Sequence, residues 1–120
     1  MKFGHIGVEA LNLKESIEFY KNILSAKVVK DYVYPDMNMR LVFLEAGGTI
    51  FELVEKPGIV ERTNVGPLDH IAFKVDSLDD EMKMLDKYNI KYTEPRIVGN
   101  ARIIFFNGPN HESFEFVARV

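Results

Sequence analysis

Cysteine is absent from all 120 residues, which removes disulfides, thiolate nucleophiles and cysteine metal sites from consideration. No apolar run reaches the roughly 18–20 residues that a membrane-spanning helix needs. The opening stretch "MKFGHIGVEA" has no apolar signal core, so a cytoplasmic protein is expected. Basic residues number 15 but are scattered, and the formal net charge is −3, so nothing resembles a phosphate-tracking surface and nucleic acid is not an expected partner. What remains is a chain 47% hydrophobic, enough for the core of one ordinary domain, whose chemistry must come from histidine, carboxylates or a bound group.

The chain repeats itself. "HIGVEALNLKESIEFY" (5–20) lies over "HIAFKVDSLDDEMKML" (70–85) at an offset of 65, matching His5 with His70, Ile6 with Ile71, Leu13 with Leu78 and Ile17 with Met82. "RLVFLEAGG" (40–48) lies over "RIIFFNGPN" (102–110) at 62, and Glu52 lies over Glu115 at 63. Two copies of about 50 residues are too few and too long for a solenoid, so the reading is one domain of two modules, 1–56 and 67–120, joined by a turn-rich linker over 57–66.

In each copy an apolar, β-branched strand feeds a helix. Asn12 with Glu15, and Ser77 with Asp80, have the spacing of helix N-termini. Leu13, Ile17, Tyr20 and Leu24, then Leu78, Met82, Leu85 and Tyr88, fall at helical spacing and supply one apolar face each. Strands are expected over 26–34, 39–45 and 49–55, and again over 91–98, 101–106 and 112–118, with "EAGG" and "NGPN" as hairpin turns. The expected fold is α+β: two βαβββ modules forming curved, cup-shaped mixed sheets with helices on the outer face.

Alternation along the strands decides where the odd polar residues point. Ile71, Phe73 and Val75 share the helix side, as do Ile6 and Val8, which sends His70 and His5 to the other face. Phe51 and Leu53, and Phe114 and Phe116, likewise leave Glu52 and Glu115 opposite. Taken singly, a strand histidine is ordinarily a satisfied core or surface residue, and a strand glutamate is ordinarily solvated. Two imidazoles and two carboxylates repeated in register are a candidate metal site, because uncompensated burial of the acids would be costly. Neutral imidazole and carboxylate donors suit borderline divalent ions: nickel, cobalt, zinc, manganese or iron. Arg40 and Arg102, matched across the repeat, are either surface residues or a clamp for an anionic substrate. His111 has no counterpart in the first copy and sits on an expected turn.

With "HI" opening each copy, "SIEFYKNIL" in the first helix and a glutamate in the last strand of each, the whole chain resembles the vicinal oxygen chelate superfamily, which includes glyoxalase I and methylmalonyl-CoA epimerase. The resemblance implies a metal held at His5, Glu52, His70 and Glu115, nickel, cobalt or zinc foremost. It also implies that Glu115 or Glu52 is the base moving a proton next to a carbonyl, through a metal-bound enediolate or enolate, as in a lactoylglutathione lyase-type reaction. A methylmalonyl-CoA epimerase-like enzyme and a non-catalytic small-molecule binding or resistance protein are the alternatives. Glu9 stands where glutathione-dependent glyoxalase I has an arginine that holds a glutathione carboxylate, and Lys56 where it has an asparagine. Both departures speak against glutathione itself as the carrier. A small-molecule substrate and a homodimer, favoured by exposed sheet edges, complete the expectation.

Overall fold

The computed structural model describes residues 1–62 and 66–120, so residues 63–65 of the expected linker lie outside the described residues. The chain divides into two compact units, Met1–Arg62 and Thr63–Val120. In the first, the order is β1 (Ile6–Glu9), α1 (Leu13–Ile23), β2 (Lys27–Tyr34), a 3₁₀ turn (Pro35–Met37), β3 (Met39–Ala46) and β4 (Thr49–Glu55). The second repeats it with β5 (Ile71–Lys74), α2 (Leu78–Lys87), β6 (Arg96–Val98), β7 (Ala101–Asn107) and β8 (Ser113–Arg119). The sheets run β1-β4-β3-β2 and β5-β8-β7-β6, so the α+β reading of two βαβββ modules holds. In each, the strand before the helix pairs in parallel with the last strand of the module, while the remaining pairs are antiparallel.

Local chemistry starts the helices where the sequence indicates. The Asn12 side chain accepts a hydrogen bond from the Glu15 amide at 3.0 Å, and the Ser77 hydroxyl accepts one from the Asp80 amide at 3.1 Å. The two-residue turn between β3 and β4 places Gly47 and Gly48 at φ 59° and 83°, a left-handed pair that matches strand twist and that side-chain-bearing residues adopt only under strain.

Each helix covers one face of its own sheet. Tyr20 on α1 meets Phe51 of β4 edge-on, with ring centroids 5.1 Å apart, and Leu44 and Leu53 are fully buried beside them. In the second unit Phe114 and Phe106 stack at 5.5 Å, with Leu85 of α2 and Ile104 also buried. The burial stripe on α1 runs through Leu13, Ser16, Phe19, Tyr20 and Ile23, with Ile17 on its flank.

Two local expectations are corrected. Tyr88 is not core: it is the C-terminal cap of α2, exposed, with the Lys87 ammonium over its ring. Nor is 91–98 a continuous strand. Pro95 cannot donate to a ladder, so the chain touches β7 only through an isolated bridge at Tyr92 and bonds at Thr93 before re-forming at Arg96.

Glu81 occupies the α2 position where α1 has the fully buried Ser16. Partial burial, with Asp80 alongside, pushes its carboxyl above the usual glutamate range. The folded state therefore holds that proton to higher pH than the unfolded chain, and stability is lost as pH rises from the unfolded value through the folded one. Glu81→Gln is expected to raise the melting temperature at pH 7, with the gain shrinking to nothing below about pH 4, where both states are protonated. Thermal melts of both proteins at several pH values check the sign.

Candidate metal centre

His5 immediately precedes β1, and β1 runs beside β4 with Gly7 opposite Glu52. That register carries the imidazole onto the Glu52 face, with Nε2 3.8 Å from a Glu52 carboxylate oxygen. The distance is an ion-pair separation rather than a hydrogen bond. The His5 side chain is 45% exposed and that of Glu52 only 18%. Gly7 keeps the acid uncovered: a Cβ there would stand 3.6 Å from Glu52 Oε1. Phe43 is the cross-strand neighbour of Glu52, and its ring meets His5 edge-on at 5.6 Å.

The second unit repeats the arrangement. His70 immediately precedes β5, Ala72 lies opposite Glu115, and Phe105 is the cross-strand neighbour of Glu115. His70 meets Phe105 edge-on at 5.4 Å. Each unit thus sets one imidazole and one carboxylate on the face away from its helix, around an equivalent phenylalanine. Phe43 and Phe105 were not singled out in the sequence, although the alignment of "RLVF" with "RIIF" contains them.

The halves differ at the second histidine, which among the described residues makes no ion pair with Glu115 to match that of His5 with Glu52. His70 Nδ1 lies 2.8 Å from the carboxylate of Asp69, where the first copy has Gly4. A carboxylate only accepts, so Nδ1 is the donor in that bond, which leaves Nε2 as the ring nitrogen that could face a metal. Among the described residues, no group of three or more His, Asp or Glu side chains stands together as a metal cage. The donors come as a His–Glu set in each unit, and their chemistry fits a borderline divalent ion.

The arginines are placed elsewhere. Arg40 alternates with Phe43 and therefore projects to the helix side, where Asp31 receives it through two hydrogen bonds of 3.0 and 2.7 Å. Those bonds hold the Asp31 carboxyl below the usual range. Arg102 likewise projects toward α2 and bonds Asp79 at 2.9 Å. Neither clamps an anion beside the glutamates; the surface reading is the correct one. Glu9, on the His5 face, is engaged by Lys56 at 3.8 Å and by Arg62.

Over residues 2–116 the chain matches the Glyoxalase/Bleomycin resistance protein/Dioxygenase superfamily. The protein belongs to that superfamily. Among its curated relatives are the mitochondrial methylmalonyl-CoA epimerase of Homo sapiens, 26% identical over 90% of this chain, and the lactoylglutathione lyase of Neisseria meningitidis, 26% identical over 99% of it. The chain spans 66% of the human epimerase, about two thirds of its length, and 91% of the bacterial lyase. Of the solved structures, the fosfomycin resistance protein of Listeria monocytogenes complexed with Mn(II) and sulfate superposes with a TM-score of 0.78 at 20% identity, covering 99% of this chain and 93% of that one. At that identity the likeness is one of fold. No helix among the described residues is long and apolar enough to cross a membrane.

Proposed function

We propose that this protein is a divalent-metal-dependent lyase or isomerase that moves a proton next to a carbonyl, a glyoxalase I-like reaction, with His5, Glu52, His70 and Glu115 as the ligand set. The observation that carries the reading is the same histidine, phenylalanine and glutamate arrangement in both units, in a superfamily with a lyase and an epimerase among this chain's relatives. Nickel, cobalt and zinc suit the donors best, with manganese or iron also compatible. When bound, such an ion supplies Lewis-acid stabilisation of negative charge developing on a carbonyl oxygen.

The chain's own residues do the rest. Glu115 or Glu52 takes a proton from the carbon beside the carbonyl; in a lyase-type step the same acid returns it to the neighbouring carbon, and in an epimerase-type step the other glutamate delivers a proton to the opposite face of the same carbon. Phe43 and Phe105 wall the acids and limit water around the transferred proton. The homodimer and the cytoplasmic setting belong to the same proposal. The second reading is the epimerase, because Glu9 supplies no cation for a glutathione carboxylate and Lys56 and Arg62 are already engaged by it.

Proton exchange in deuterated water on a panel of hemithioacetals, α-hydroxythioesters and acyl-CoA esters tests the proposal. At least one class is expected to take up deuterium beside its carbonyl, with the exchange abolished by EDTA and restored by added metal. Metal-loaded protein that exchanges none of them, yet is thermally stabilised by an organic ligand regardless of chelator, would be a binding or resistance protein instead.

A further inference from the structure

His5 and His70 hold equivalent places, each with its ring edge-on to a phenylalanine, 5.6 Å from Phe43 and 5.4 Å from Phe105. What differs is the partner of Nδ1. In the second unit Asp69 receives that nitrogen at 2.8 Å; in the first, at offset 65, the same place belongs to Gly4, and among the described residues no hydrogen bond reaches either ring nitrogen of His5. The acid that His5 meets is Glu52, itself a proposed ligand, 3.8 Å from Nε2. Space does not require the glycine. A Cβ at Gly4 would meet nothing within 4 Å, and its backbone is not left-handed, so the first unit has room for the carboxylate it lacks.

A neutral imidazole has two tautomers, and only the one protonated on Nδ1 can lend its Nε2 lone pair to an ion. A ring without a partner gives up both its orientational freedom and its choice of tautomer on binding; a ring already donating from Nδ1 has given them up beforehand. Resting on the proposed ligand set, we propose that Asp69 is a positioning residue for the metal: it fixes His70 with Nε2 as the free donor and makes the second unit's His–Glu pair the better-prepared half of that set. The bond also strengthens the ligand, because a carboxylate on the far nitrogen raises the electron density at Nε2. Removing such an outer partner typically costs about 10–100-fold in metal affinity. The Asp69 side chain is 91% exposed and water weakens the contact, so the lower end, about tenfold, is expected here.

The ring states are read in metal-free, nitrogen-15-labelled protein by long-range proton–nitrogen correlation above the imidazole titration range, so this outcome is separate from metal loading and turnover. His70 is expected predominantly as the Nδ1–H tautomer, and His5 not. Asp69→Ala is expected to abolish that bias and to weaken nickel binding about tenfold in a calorimetric titration, while Asp69→Asn, which keeps an acceptor oxygen, retains the bias and much of the affinity. Gly4→Asp is expected to install the bias at His5 and to tighten nickel binding severalfold. Glu18→Ala removes the same charge from the exposed side of α1 and is expected to alter neither readout. A His70 tautomer indifferent to Asp69→Ala, nickel binding unchanged or tightened by it, or equal weakening by Glu18→Ala would overturn the positioning role while leaving the ligand set in place. Wild type that shows the tautomer bias yet binds no nickel would sink the ligand set, and the positioning role with it.

Discussion

Glu115→Gln and Glu52→Gln are expected to lower the rate of proton exchange unequally, the larger loss, about 10²–10⁴-fold, marking the base. Glutamine preserves shape and an oxygen donor but cannot accept the proton, so the base variant loses turnover while keeping much of its metal. The variant of the other acid loses a charged ligand and is expected to show its deficit chiefly as weaker metal binding, recovered in part at high metal concentration. Steady-state rates at saturating metal separate the two. Equal, small losses in both variants would mean that neither glutamate carries the proton.

The second large effect is on stability. Phe51 is fully buried on β4, against Tyr20 and beside Leu44 across the strand pair. Phe51→Ala leaves a cavity that neither a strand nor a packed helix can close, and is expected to cost about 3–5 kcal/mol. Against a typical total of roughly 5–15 kcal/mol, that is a large share. Because Phe51 and Glu52 are consecutive on one strand, metal affinity should fall along with stability. Urea unfolding of wild type and variant measures the cost, and a change below about 1 kcal/mol would place Phe51 outside the core.

Most of the fold was legible in the sequence because duplication checks each local signal against a second copy. Ambiguity at "HIGV" is resolved by "HIAF", and the caps at Asn12 and Ser77 support each other. Alternation in "FELVE" and "SFEFV" suffices to turn Glu52 and Glu115 away from the helices, since a one-residue slip would bury the acids under α1 and α2. Pro95 shortens β6 because a missing amide outweighs the β-branched residues after it. Tyr88 follows the helical period but falls at the C-cap of α2, where it is exposed.

The site was legible only as residue types on a face. That Arg40 and Arg102 answer Asp31 and Asp79 depends on neighbours 9 and 23 residues away in sequence. Asp69, adjacent to His70, was in plain view, but its bond to Nδ1 depends on a ring orientation no pattern encodes.

The most direct test of the proposed four-ligand set is calorimetric titration of the metal-free protein with nickel, alongside His5→Ala and His70→Ala. One ion is expected per set of four ligands, with each single variant binding at least a hundredfold more weakly because each unit gives half the donors. Unchanged nickel affinity in either variant, or no binding by the wild type, would contradict the proposed ligand set.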